Sequence, residues 1–124
     1  MGDTAIDRLL ADITAGMGIA EGVFAADAVL DATVPNWRFS LAGEGHVRHQ
    51  LSQWYADPGT FEEIDRTPVS DGEVVRFLLT WTERGELHAA HQAHLLQVRE
   101  DRIVSDTMFC GGRWSAPLLA KMAS

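Results

Sequence analysis

Two polar residues near the end of the chain are of the types that carry out acid–base catalysis. His91 and Asp106 lie in apolar stretches on either side of the acidic pair Glu100 and Asp101. If the chain makes a hairpin turn at this pair, Leu95 lies opposite Asp106. Because side chains alternate along a strand, one face of the hairpin then holds His91, Ala93, Leu95, Asp106, Met108 and Cys110. The other face holds His94, Leu96, Val98, Ile103, Thr107 and Phe109.

An imidazole and a carboxyl group on one mostly apolar face have what general acid–base catalysis needs, since burial tunes the pKa of such groups. In this register His91 and Asp106 are offset by about four residues, roughly 13 Å. They would therefore contact opposite ends of one ligand instead of forming a hydrogen-bonded pair. The alternative is structural: a core histidine satisfied by the backbone, and an aspartate at the sheet rim or in a dimer contact.

The spacing of the histidines argues against a metal site. His88, His91 and His94 would line one face only if this segment were a helix. On a strand, His91 points away from the other two, which lie roughly 20 Å apart. His46 and His49 have no carboxylate or thiol at matching spacing. We therefore expect no metal and no cofactor.

The single cysteine of the chain, Cys110, lies near the end of the last expected strand with no base beside it in the sequence. It is therefore expected to be a small buried hydrophobic residue and not a nucleophile. A lone cysteine also excludes an internal disulfide.

Hydrophobic periodicity predicts helices and strands in the first half of the chain. Residues 4–13 carry apolar side chains at helical spacing, with Asp3 or Thr4 as the cap. The further elements expected here are a short helix over 20–26, strands over 28–34 and 37–41, and a helix from 46 that ends at 57–59.

The second half of the chain is predicted to be a sheet. Strands are expected over 60–68, 73–83, 87–99 and 102–110, with Gly111 and Gly112 ending the sheet and a loosely held tail over 116–122. Residues 87–100 also contain good helix formers. We favour a strand for them because 103–110 is β-like and would otherwise lack a neighbour.

The charge of the chain excludes one class of partner. The formal net charge is −8, and such a field repels the phosphate backbone of nucleic acids. No apolar run approaches the length of a membrane span. The first residues are acidic where a secretory signal needs a basic segment. We therefore expect a cytoplasmic protein that binds neither nucleic acid nor membrane.

The order of the elements resembles the nuclear-transport-factor-2-like (NTF2-like) superfamily, which includes ketosteroid isomerase, scytalone dehydratase, limonene epoxide hydrolase and the SnoaL-like polyketide cyclases. The resemblance is carried by FAADAVLDATVP (24–35), GEGHVRHQLSQWY (43–55) and VREDRIVSDTMF (98–109). It implies one α+β domain over 1–124, a cystatin-like cone in which N-terminal helices pack on a curved, mainly antiparallel sheet around one pocket. It also implies a homodimer through the outer face of the sheet.

The resemblance further implies which residues meet a ligand. It turns the His91 face toward the pocket, and the residues it places around a ligand are Asn36, Trp37, Tyr55, Trp81, Met108 and Cys110. The general base of ketosteroid isomerase maps to Pro35 or Asn36, and its first-helix tyrosine has no counterpart here. The last acid of limonene epoxide hydrolase maps to Met108. Neither mechanism is therefore expected.

Two functions of different class follow from the sequence. The first is a cofactor-independent lyase, isomerase or cyclase that acts on a small hydrophobic cyclic molecule, with His91 as base or hydrogen-bond donor and Asp106 as acid or base. The second is a non-catalytic ligand- or partner-binding module of the same fold, in which both residues are structural.

Overall fold

The computed structural model describes residues 3–124, which form three helices and six strands. The helices are α1 (Ala5–Ala15), α2 (Glu44–Trp54) and α3 (Ala116–Ala123). The strands are β1 (Phe24–Val34), β2 (Trp37–Ala42), β3 (Gly59–Val69), β4 (Gly72–Glu83), β5 (Glu86–Arg99) and β6 (Arg102–Trp114).

The six strands form one sheet in the order β2-β1-β6-β5-β4-β3. All neighbouring strands are antiparallel except β1 and β6, which are parallel. This confirms the α+β class and the mainly antiparallel sheet expected from the sequence. Residues 87–99 form a strand that pairs along its length with both β4 and β6. The strand interpretation of this segment is therefore confirmed.

The helix α1 begins and ends where local signals place it. Thr4 and Asp7 form a reciprocal capping box at its start, and Gly16 ends it with a left-handed φ of 68°. The apolar face of α1 is buried together with Val47 and Leu51 of α2. The two helices and the inner face of the sheet thus enclose the hydrophobic core.

The short helix expected over residues 20–26 is absent from the described chain. Glu21 and Gly22 form a turn, and β1 already begins at Phe24. Phe24 is buried opposite Ile103 of β6. Pairing with β6 therefore overrides the weak local helix preference of this segment.

The end of the chain also differs from the expectation. The strand β6 continues through Gly111 and Gly112 to Trp114, and the residues expected to be a loose tail form α3. Gly112 has a φ of 118°, which permits an irregularity in the pairing with β5 without ending the strand.

The register of the β5–β6 hairpin is shifted by one residue from the expected one. Val98 lies opposite Ile103, as the turn at Glu100 and Asp101 predicts, but Leu96 and not Leu95 lies opposite Asp106. Between these pairs β6 contains one more residue than β5, which is a β-bulge. Side chains alternate between the two faces of a strand, so one extra residue in β6 reverses the expected assignment of faces from Ser105 onward. Residues of β5 and β6 that the expected register placed on one face therefore lie on opposite faces.

The close approach of the end of α1 to the loop between α2 and β3 yields a stability prediction. A Cβ at Gly16 would lie 2.3 Å from backbone atoms of Asp57 and Pro58, and its φ is left-handed. We expect Gly16→Ala to lower the free energy of unfolding by more than about 2 kcal/mol. Gly45 is the control: it lies in α2 with no atom within 4 Å of an added Cβ.

Gly45→Ala should raise the free energy of unfolding by about 0.5 kcal/mol, because alanine favours the helix. Urea denaturation of both variants measures the difference. Equal effects of the two substitutions would contradict the close approach of Gly16 to the backbone of Asp57 and Pro58.

Candidate functional site

A cavity of about 670 Å³ lies between α2 and the inner face of the sheet. Its apolar walls include Val34, Pro35, Phe39, Trp54, Leu79, Trp81, Ala90 and Met108. Its polar or charged lining residues include Gln50, Gln53, Tyr55, Asp57, Glu83, Gln92, Cys110 and Arg113. The cavity is therefore mainly apolar, with a small set of polar groups that could orient a ligand.

Three elements bring the polar groups of the inner wall together. Tyr55 lies at the end of α2, Gln92 and His94 come from β5, and Asp106 and Cys110 come from β6. The bulge in β6 makes this convergence happen, because it places His94 and Asp106 on the same, inner face of the sheet. Without the extra residue these two side chains would lie on opposite faces.

The inner wall contains a continuous chain of hydrogen-bonded side chains. Nδ1 of His94 lies 2.9 Å from each carboxylate oxygen of Asp106. Nε2 of the same ring lies 3.1 Å from the Tyr55 hydroxyl. The hydroxyl donates to Oε1 of Gln92, and Nε2 of Gln92 donates to Sγ of Cys110 at 3.3 Å.

This chain is buried, yet one end of it reaches the cavity. The exposed fractions of Asp106 and His94 are 0% and 1%, and neither residue lines the cavity among the described residues. Tyr55, Gln92 and Cys110 line it. A ligand would therefore meet the phenol and the amide, while His94 and Asp106 lie behind them.

The His94 ring is held in place on two sides. The Phe77 ring stacks against it with 5.5 Å between ring centroids and an interplanar angle of 21°, while Asp106 binds its Nδ1. Among residues 3–124, no buried side-chain nitrogen or oxygen lacks a hydrogen-bond partner. The orientation of the imidazole is therefore fixed, as a proton relay requires.

Burial raises the pKa of the Tyr55 phenol well above its ordinary value of 10.0. The nearby Asp106 and Cys110 act in the same direction, because a negative charge disfavours the phenolate. The phenol is thus neutral at physiological pH and is a hydrogen-bond donor, not a base.

The expectation that His91 faces the pocket is wrong. His91 is exposed on the outer face of the sheet, where its Nε2 lies 3.1 Å from Nη1 of Arg76. The expected register omitted the bulge in β6 and so exchanged His91 with His94. Asp106 does face inward, but its partner is His94. These two side chains are in direct contact, whereas His91 and Asp106 were expected to lie roughly 13 Å apart.

The residues expected around a ligand divide into two groups. Tyr55, Trp81, Met108 and Cys110 line the cavity. Asn36 and Trp37 do not line it among the residues described: Asn36 lies in an exposed turn with a φ of 65°, and 67% of Trp37 is exposed. The tight turn between β1 and β2 turns both side chains toward solvent.

Gln92 and His94 are the functional candidates that the sequence analysis missed. The structure shows why: Ile103 and Met108 are both core residues of β6 although they are separated by an odd number of positions, and this requires a bulge between them. The sequence does not reveal it, because Val104 and Phe109 beside them are equally apolar.

At the edge of the cavity, three side chains form a second polar cluster. Nε1 of Trp81 donates to Oε1 of Glu83 at 2.8 Å, and Arg113 forms an ion pair with the same carboxylate. The Arg113 guanidinium also lies over the Trp81 ring, 5.3 Å from its centroid.

Within residues 3–124, no group of three or more His, Cys, Asp or Glu side chains is placed to hold a metal ion.

Comparison with known proteins places this architecture among solved structures. No protein-family model and no curated protein matches the sequence. An NTF2-like protein of unknown function from Burkholderia xenovorans LB400 matches at 17% identity with a TM-score of 0.56, over 97% of this chain and 90% of that one. The chain has the NTF2-like fold.

Two further solved structures share this fold. A candidate polyketide cyclase from Pseudomonas putida KT2440 is 14% identical over 86% of this chain and 91% of that one, with a TM-score of 0.62. A protein of ketosteroid-isomerase-like fold from Catenulispora acidiphila DSM 44928, solved with trimethylamine, is 19% identical over 90% and 88%, with a TM-score of 0.56. At these identities the similarity establishes the fold and not the activity.

In the part of the chain that the structure describes, no helix has the length and apolar character to cross a membrane.

The burial of the sole tyrosine predicts how it titrates. Because the pKa of Tyr55 is raised in the folded protein, the neutral phenol contributes stability that is present below about pH 10 and is lost as the pH rises above it. We expect no phenolate absorbance in the folded protein at pH 10, and its appearance only as the protein unfolds in stronger alkali.

The urea-unfolded protein, in which the phenol should ionise near pH 10, is the control, and Tyr55→Phe supplies the tryptophan background. Ionisation near pH 10 with an unchanged circular dichroism spectrum would contradict the described environment of Tyr55.

Proposed function

We propose that this NTF2-like chain, as one domain, binds a small, mainly apolar cyclic molecule in the cavity between α2 and the sheet. It acts on that molecule without a cofactor, as a lyase, isomerase or cyclase that uses general acid–base catalysis. The observation that carries the proposal is the buried chain from Asp106 through His94 to the Tyr55 hydroxyl, which ends at the cavity wall.

The size and lining of the cavity support the ligand class. Pockets of roughly 300–1,000 Å³ suit ring-sized molecules, and the volume here, about 670 Å³, lies within that range. The aromatic rings of Phe39 on β2 and Trp54 on α2 pack edge to face and line the same cavity as Tyr55 and Gln92. An apolar ring would contact the two aromatic side chains while a polar substituent meets the phenol and the amide.

The order of the side chains supports acid–base chemistry. Asp106 orients the imidazole, His94 exchanges a proton with the Tyr55 oxygen, and the phenol contacts the ligand. Because the phenol remains neutral, it serves the reaction by donating to an oxygen of the ligand. The catalytic residue of the proposal is therefore Tyr55, with His94 and Asp106 acting through it.

The alternative, a non-catalytic ligand- or partner-binding module, has one observation in its favour. Every buried polar side-chain atom of the described residues already has a partner within the protein. A network that is complete without a ligand can exist for stability alone. Turnover of a bound compound is the result that separates the two functions.

A matched set of variants tests the proposal. Purified protein is screened by thermal shift against cyclic ketones, terpenoids, sterols and aromatic polyketides, since a ligand of the folded state raises the melting temperature. Compounds that bind are then incubated with the protein and analysed by mass spectrometry. We expect Tyr55→Phe to bind them within about tenfold of the parent and to lose roughly 100-fold or more of product formation.

His91→Ala is the control, because its side chain lies on the outer face and should affect neither binding nor product. Unchanged product formation by Tyr55→Phe would exclude the proposed acid. Binding with no product from the parent protein would assign the chain to the non-catalytic alternative.

We further propose that a second copy of the chain covers the outer face of the sheet in a cytoplasmic homodimer. Val29, Leu95 and Phe109 project from the neighbouring strands β1, β5 and β6, and each is between 41% and 48% exposed. Such an apolar patch on a sheet is typical of an interface. The cytoplasm suits a chain with one cysteine, which needs no oxidising environment.

Light scattering after size exclusion tests the dimer. We expect the parent protein to have twice the 13.6 kDa mass of one chain, and Phe109→Glu to weaken association at least tenfold because it buries a charge. Met17→Glu is the control, since Met17 is 91% exposed in the segment between α1 and β1. A monomeric parent protein, or an unaffected Phe109→Glu dimer, would contradict this interface.

A further inference from the structure

The Tyr55 hydroxyl has one hydrogen but two polar neighbours. It donates this hydrogen to Oε1 of Gln92, an atom that can only accept. Its oxygen also lies 3.1 Å from Nε2 of His94. With the phenol hydrogen already used, this second contact is a hydrogen bond only if Nε2 carries a hydrogen and donates it to the Tyr55 oxygen.

The orientation of the Gln92 amide is set from its other end. Its Nε2 donates to Sγ of Cys110 at 3.3 Å, and this sulfur also accepts from the backbone N–H of Gly112 at 3.4 Å. With the amide nitrogen directed at the sulfur, the amide oxygen faces the phenol. The direction of the Tyr55 hydrogen is thus determined by Gln92 and Cys110 together.

The other ring nitrogen of His94 shares a hydrogen with Asp106. Nδ1 lies 2.9 Å from both oxygens of Asp106, so that one hydrogen between the ring and the carboxyl group satisfies both. Whether this hydrogen is bonded to Nδ1 or to the carboxyl group, Nε2 keeps its own hydrogen. Phe77, which is apolar, stacks on this ring, and Cys110 lies near the phenol.

We propose that Gln92 is a positioning residue that keeps a proton on Nε2 of His94 and so holds Tyr55 as a proton donor toward the cavity. The inference rests on the proposed function and defines its ligand more closely. A ligand atom that replaces Oε1 of Gln92 at the phenol must be an acceptor, such as a carbonyl, hydroxyl or ether oxygen.

The proton transfer that follows is balanced. The O–H bond of Tyr55 breaks as its hydrogen passes to the ligand oxygen, and the Nε2–H bond of His94 breaks as that hydrogen restores the phenol. The His94 ring then holds a single hydrogen, on Nδ1 beside the Asp106 carboxylate, the ligand gains one proton, and no phenolate accumulates. The reaction class is therefore one that begins with protonation of an oxygen, such as loss of a hydroxyl group or activation of a carbonyl, and not removal of a C–H proton.

The test uses the protein without ligand, so that its result is independent of whether a substrate is found. Nitrogen-15 NMR of histidine rings distinguishes a protonated nitrogen from an unprotonated one. At pH 8 we expect Nε2 of His94 to be protonated in the parent protein. In Gln92→Met, which lacks the acceptor oxygen, Nε2 should change to the unprotonated class because the phenol then donates to it.

Gln50→Leu is the matched control, since Gln50 lines the same cavity and should leave the ring nitrogens unchanged. A ring in the parent protein with an unprotonated Nε2 overturns the inference, and so does a Gln92→Met protein that keeps Nε2 protonated. Should Gln92→Met fail to fold, Gln92→Ala, which also lacks the acceptor oxygen, takes its place, and an unprotonated Nε2 in the parent spectrum still overturns the inference. A confirmed ring state without any bound compound would retain the inference about Gln92 and count against the proposed function only.

Discussion

A carboxyl group with no exposed surface must receive its hydrogen bonds from the protein, and Asp106 is such a group. His94 meets this requirement from the neighbouring strand. Losing either member of a buried pair typically costs about 3–5 kcal/mol, because the other is left without a partner. The register of β5 against β6 is therefore constrained at this point more strongly than apolar packing alone would constrain it.

The cavity chemistry depends on the same constraint. Once Asp106 fixes one side of the imidazole, the opposite nitrogen faces the end of α2, where Tyr55 lies. The phenol, the Gln92 amide and the Cys110 thiol follow in sequence along the cavity wall. A proton held deep in the core is thus connected to the cavity through one hydroxyl group, which the ligand can contact while His94 and Asp106 remain buried behind it.

Much of the fold could be predicted from sequence because its signals are local. The capped helix α1 and the turn at Glu100 and Asp101 follow from periodicity and turn chemistry. The strand β5 follows instead from the need of the β-like segment 103–110 for a neighbouring strand. The candidate site could not, because it depends on one extra residue in β6, and strand pairing is a tertiary property. Alternation read without that residue selects His91, and the odd spacing of the buried residues in β6 becomes visible only in the structure.

The most direct measurement is the pairing of β5 with β6 in solution, read from backbone nuclear Overhauser effects across the hairpin. Contacts that place Leu96 opposite Asp106 and Gln97 opposite Ser105 are predicted by the bulge, and they bring His94 to the inner face. Contacts that place Leu95 opposite Asp106 would put His94 on the outer face. That result would contradict the Asp106–His94–Tyr55 chain and the function proposed for it.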